Sequence, residues 1–113
     1  MFFKLSEFEC KCGCGANVTS SLLITKLDSA RLWLVSKGSS IPFVITSGTR
    51  CKEHNEREGG EKDSSHLTGW AADIQCLSKE SRNRWIIIES LYLQGIKRMG
   101  IAKTFIHVDI DPN

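Results

Sequence analysis

The sequence lacks a block of basic residues, an apolar stretch approaching the ~18 residues of a membrane span, and a C-x2-C cysteine pair. Each absence excludes a class. Fifteen Lys and Arg against thirteen Asp and Glu leave a formal charge of only +2, spread along the chain, so no nucleic-acid partner is expected. Without an apolar run, no membrane span is expected. The opening MFFKLSEFECKCGCG has no basic region followed by a long apolar core, so it does not read as a secretory signal. The chain is therefore expected to be made in the cytoplasm. No internal repeat, linker or low-complexity stretch interrupts its 113 residues, which predicts one domain over 1–113, working as a monomer. A hydrophobic content of 41% beside 25% charged residues is enough for a packed core.

The five cysteines are an odd set, with Cys10, Cys12 and Cys14 crowded near the start and Cys51 and Cys76 apart. Alternate cysteines fit zinc-knuckle spacing poorly, so a structural zinc is not expected from them. A zinc-ribbon nucleic-acid binder built on these three would also ignore the histidines considered below. The short coil from Glu9 to Gly15 still needs an anchor, and one of the three is expected beside Cys51.

Leu23, Leu27, Ala30 and Leu34 recur at intervals of four, three and four, predicting a helix over Thr19 to Lys37, with Thr19 or Asn17 as cap and Gly38 as stop. Pro42 to Thr46 reads as a buried strand. Ser47 to Asp63 reads as a loop with at most one helical turn. Ala71 to Gln75 is a short strand, followed by a helix capped by Ser78, with Trp85, Ile88, Leu91 and Tyr92 inward and Gly95 ending it. Trp33 and Trp85 are expected in the core and Trp70 beneath the loop of His66. Arg98 to Ala102 and Phe105 to Ile110 form a closing hairpin. This order predicts an α+β domain with a small, mainly antiparallel sheet packed with two main helices.

His54, His66 and His107 are the only histidines. His66 and Asp73 stand seven residues apart around a turn, and His107 lies in the last strand, where alternation puts Asp109 on its own face. Three such residues leave the fourth position of a tetrahedral zinc for water. His54, in a polar loop, reads as a solvent-facing or groove residue.

Ser64-Ser65-His66-Leu67-Thr68-Gly69-Trp70-Ala71-Ala72-Asp73 matches S-x-H-x-x-G-x-A-x-D, and Phe105-Ile106-His107-Val108-Asp109 matches [FI]-[VI]-H-x-D. Together with Phe3 to Phe8 and the Ser47-Gly48-Thr49-Arg50 turn, they resemble the M15 family of zinc peptidases. That family comprises D-alanyl-D-alanine carboxypeptidases and L-alanyl-D-glutamate endopeptidases, with a metal-site fold shared by lysostaphin-type enzymes and the hedgehog domain. The resemblance covers nearly the whole chain. It implies one catalytic zinc held by His66, Asp73 and His107, and a metal-activated water attacking the peptide stems of peptidoglycan. It also implies a substrate-binding and catalytic role for Arg50, although Thr49 stands where an aromatic is commoner, and a substrate-binding role for Ser64. Asn55, Gly59 and Gly60 shape the intervening loop.

Many members of the family place an acidic residue three positions before the last ligand, where this chain has Thr104. Asp109 is the replacement expected as general base, with a ligand-orienting role as its alternative; Glu53, Glu56 and Glu58 are outside candidates. The resulting expectation is a cell-wall hydrolase of carboxypeptidase or endolysin type, compatible with phage origin and with release to the wall through a holin or lysis. The alternative is a binding module on the same fold that retains zinc and has lost catalysis.

Overall fold

A computed structural model describes residues 2–39, 41–76 and 81–112. The chain runs through a 3-10 turn (Leu5–Phe8), α1 (Ser21–Ser36), β1 (Ile45–Ser47), α2 (Lys52–Arg57), β2 (Ala71–Gln75), α3 (Ser81–Leu93), β3 (Arg98–Ile101) and β4 (Phe105–Asp109). The strands form a four-stranded antiparallel sheet in the order β1-β2-β4-β3. The α+β expectation is met.

α1 starts two residues later than the pattern suggests. Ser20, extended at φ −60° and ψ 130°, is the cap, and its hydroxyl accepts the Leu23 amide. The expected stripe Leu23, Leu27, Ala30 and Leu34 is buried, joined by Ile24. Strand β1 begins at Ile45 and is shorter than the Pro42–Thr46 run, and the single helical turn allowed between Ser47 and Asp63 is α2.

α3 departs from its predicted register. Ile87, Ser90 and Leu91 are its buried face, whereas Trp85 and Tyr92 are 67% and 54% exposed. Leu91 is inward as expected and Ile88 packs against the core, but Trp85 and Tyr92 fall outside the stripe and Ser90, which passes for a polar boundary, falls inside it. The Ser90 hydroxyl donates to the Ile87 carbonyl at 2.7 Å, so it can be buried without an unmet hydrogen bond. Trp33 is partly buried against the core and Trp85 is outside it. The Ser78 cap lies outside the described residues. Gly95 ends α3 as expected: at φ 86° it lets Ile96 N–H reach the Leu91 carbonyl and its own N–H reach that of Tyr92.

The sheet separates core from chemistry. Ala72 and Ile74 of β2 and Ile106 and Val108 of β4 join α1 and α3 in the core cluster. Alternation sends Asp73, His107 and Asp109 to the opposite face, and the register sets Asp73 directly across from His107. Among the described residues, no helix is long and apolar enough to cross a membrane.

Candidate metal centre

Asp73 sits mid-strand in β2, between Ser47 of β1 and His107 of β4 in the pairing register. His66 comes from the preceding turn, closed by Leu67 N–H on the Ser64 carbonyl and Trp70 N–H on that of Ser65. Gly69 is needed there: its φ is 80°, and a Cβ would run into the Val18 carbonyl. Trp70 is partly buried, and its carbonyl accepts the Ile110 amide, tying the turn to the end of β4.

The three side chains converge. His66 Nε2 is 3.2 Å and His107 Nδ1 2.9 Å from the same Asp73 oxygen, Oδ1, with the two rings edge to face at 5.1 Å. One donor atom from each lies within 4.8 Å of the others. Each ring is aimed by its remaining nitrogen. The His66 Nδ1 meets the Gly48 carbonyl at 2.8 Å; a carbonyl only accepts, so Nδ1 carries a hydrogen and Nε2 is the nitrogen turned toward Asp73. The His107 Nε2 meets Asp109 Oδ2 at 3.0 Å, which leaves Nδ1 to face Asp73. Two imidazoles and one carboxylate, each with an orienting partner, suit a borderline divalent metal.

Electrostatics bind the three together. Burial alone would raise the Asp73 carboxyl, but hydrogen bonds from His107 and His66 and their charge hold it down at about 2. His107 is pushed upward from its ordinary value, first by its hydrogen bond to Asp73, with burial opposing and Asp109 adding.

Arg50 completes the floor. Its Nη2 donates to Asp73 Oδ2 at 3.4 Å, Nε to Ser47 Oγ at 3.1 Å and Nη1 to Asn55 Oδ1 at 3.3 Å. The guanidinium thus holds the Asp73 oxygen that the histidines do not use, and it is no surface ion pair: its side chain is 15% exposed. Asn55 in turn donates to the Glu61 carbonyl, which fixes the loop carrying Gly59 and Gly60. Thr49, where the resemblance leads one to expect an aromatic, is 2% exposed; its hydroxyl lies 2.7 Å from that of Thr19 and accepts the Val18 amide.

A cavity of about 760 Å³ opens over the three donors and is walled by Arg50, Ser64, Asp63, Arg98, Phe105 and Asp111 among others. Ser64 lines it while its hydroxyl accepts the His66 amide. Asp109 does not line it. That carboxylate is 7% exposed behind His107, with Oδ1 accepting from Arg98 Nε at 3.2 Å and from the Asp111 amide. Thr104 is exposed and outside the wall, as are Glu53 and Glu56. Glu58 turns to His54 at 3.2 Å. His54 is outside this cavity, with 12% of its side chain exposed and Nδ1 3.2 Å from Cys10 Sγ, but it lines an adjoining pocket with Arg50, Asp73 and Phe105, in keeping with the groove reading. Asp63, Arg98 and Asp111 are wall residues that the sequence patterns did not single out; Asp111, two beyond Asp109, carried the only signal.

Away from this centre, a second set of donors comes together. The sulfurs of Cys10, Cys12, Cys14 and Cys51 also lie within 4.8 Å of one another. As expected, the coil is anchored at Cys51, by Cys12 at 3.6 Å.

Neither the curated proteins nor the solved structures include one that this chain matches. A family model described as Peptidase M15 matches residues 1–109, spanning both ligand motifs, the Arg50 turn and the N-terminal segment. The chain belongs to the peptidase M15 family, a family of metallopeptidases.

Proposed function

We propose that this protein is a zinc peptidase that cleaves the peptide stems of bacterial peptidoglycan, with His66 Nε2, Asp73 Oδ1 and His107 Nδ1 holding one catalytic metal. The observation that carries the reading is the convergence of these three donors, each ring aimed by a separate partner, beneath an open cavity in a chain of this family. When bound, zinc supplies a Lewis acid and brings the pKa of water towards ~7.

The chain's own residues do the rest. Arg50 orients Asp73 through its second oxygen, and its remaining N–H groups present a planar donor to a peptide carbonyl or terminal carboxylate. Ser64 shapes the wall through the His66 turn and offers its hydroxyl to substrate. Asp109 acts through His107: it accepts from Nε2, fixes the tautomer, and carries the charge that makes the ring a better donor. The geometry supports this orienting role over that of general base, because both Asp109 oxygens are engaged behind the ring. A carboxylate reaching water from the cavity side would come from Asp63, Glu61 or Asp111.

A second reading, a binding module that holds zinc without catalysis, draws on Thr104, which brings no carboxylate to the wall. Purified stem peptides and intact sacculi, incubated with zinc-loaded protein, distinguish the two. Hydrolysis that stops with a chelator and returns on adding Zn2+ supports the peptidase, and product masses report whether a terminal D-alanine or an internal bond is lost. Stoichiometric zinc with peptide binding and no cleavage would leave the binding module.

A further inference from the structure

A second group of metal-type donors lies outside the cavity. Cys10 Sγ is 3.4 Å from Cys12 Sγ, which is 3.6 Å from Cys51 Sγ, and Cys14 completes a set whose sulfurs all lie within 4.8 Å. All are free thiols. These separations exceed the ~2.05 Å of a disulfide bond. They approach the ~3.8 Å edge of a tetrahedron of sulfurs each ~2.3 Å from a central zinc.

Backbone amides face three of these sulfurs. The Cys51 amide points at Cys10 Sγ, the His54 amide at Cys51 Sγ and the Ala16 amide at Cys14 Sγ, each at 3.4 Å. The His54 ring bridges Cys10 Sγ and Glu58, so a carboxylate, an imidazole and a sulfur form one chain, an arrangement that supports metal-bound sulfur. The residues that carry three of the four sulfurs have no helix or strand to hold them: 11–14 is an exposed turn.

We propose that Cys10, Cys12, Cys14 and Cys51 bind a second zinc ion, structural in kind, that clamps the N-terminal arm to the start of α2. Four soft thiolates select zinc over the hard cations and fill its tetrahedral shell, leaving no position for water or substrate. Binding releases the thiol protons and closes a connection between residues 39 apart, Cys12 and Cys51. Cys51 directly follows Arg50, so the clamp also steadies the guanidinium over Asp73. This site stands independently of the catalytic assignment.

The test uses the full chain with His66→Ala and His107→Ala combined, expressed with zinc and purified under reducing conditions. Elemental analysis is expected to give one zinc per chain, and X-ray absorption four sulfur neighbours at ~2.3 Å. Adding Cys14→Ser to that background is expected to drop the zinc below half an equivalent. Native mass spectrometry of the unmutated chain provides a second readout should the double variant misfold: two zinc ions are expected, with four of the five thiols reactive only after chelation. A zinc-free double variant that is folded and reduced, a single zinc in the native chain with nitrogen and oxygen neighbours, or disulfides among these cysteines would each overturn the proposal. If the catalytic assignment alone were at fault, the double variant and the native chain would carry the same single sulfur-bound zinc.

Discussion

Asp109→Asn separates the two roles open to that carboxylate. Asp109 Oδ2 accepts from His107 Nε2 at 3.0 Å, and Oδ1 from Arg98 at 3.2 Å. Asparagine keeps the volume but offers one acceptor where there were two, and its amide turns a donor toward either an imidazole N–H or a guanidinium. The Nε2 hydrogen is then held less firmly, the tautomer with a lone pair on Nδ1 loses its preference, and the ring becomes a poorer donor. Loss of such an orienting partner weakens metal binding by about 10–100-fold, or about 1.4–2.7 kcal/mol. Competition against a chromophoric chelator, following the zinc equivalent that His66→Ala removes, is expected to show that loss. At saturating zinc, kcat is expected to stay within about tenfold of the unmutated enzyme. A general base predicts the reverse: unchanged zinc affinity with kcat down by about two to four orders of magnitude. That outcome would refute the reasoning from geometry.

His66→Ala, Asp73→Ala and His107→Ala are each expected to lower bound zinc by one equivalent, read by elemental analysis; full retention in any two would remove the site. Arg50→Ala is expected to lower kcat/KM for stem peptides, with zinc content intact. In metal-free protein, the Asp73 carboxyl at about 2, below its usual 3.8, contributes stability above about pH 4 that disappears on acidification toward pH 2. His107, raised, contributes below its usual 6.5 and loses it as pH rises through its folded value. The stability gap between chelator-treated wild type and Asp73→Asn, measured by denaturant titration, is expected to be on the order of 2 kcal/mol near pH 5 and to close toward pH 2; a pH-independent gap would contradict the charge argument. Leu91→Ala, at a fully buried position, is expected to cost about 2–5 kcal/mol, and Trp85→Ala less than about 0.5 kcal/mol. Equal losses would restore Trp85 to the core.

What the sequence determined by itself was local. The amphipathic spacing of α1, the strand of Ala71 to Gln75 and the closing hairpin follow from short-range periodicity, and the first ligand motif confines two donors to one turn and strand. Alternation placed His107 and Asp109 on a common face for the same reason, since neighbouring side chains in a strand point oppositely. The tertiary structure decided everything that depends on which remote group arrives. Asp109 received His107 Nε2 and Arg98 because β3 and β4 pair in one register, which turned a residue on the correct face away from the cavity. Ser90, and not Trp85, is buried because a hydroxyl that bonds its own helix can leave water, which no hydrophobicity pattern registers. Cys51 met all three early cysteines, where the sequence reading expected one, because the backbone of Thr49 bonds that of Phe8 at 2.8 Å and brings the arm to the loop. Ligand spacing along a chain constrains a metal site only when the ligands are neighbours in sequence; across 39 residues, the fold alone sets the distance.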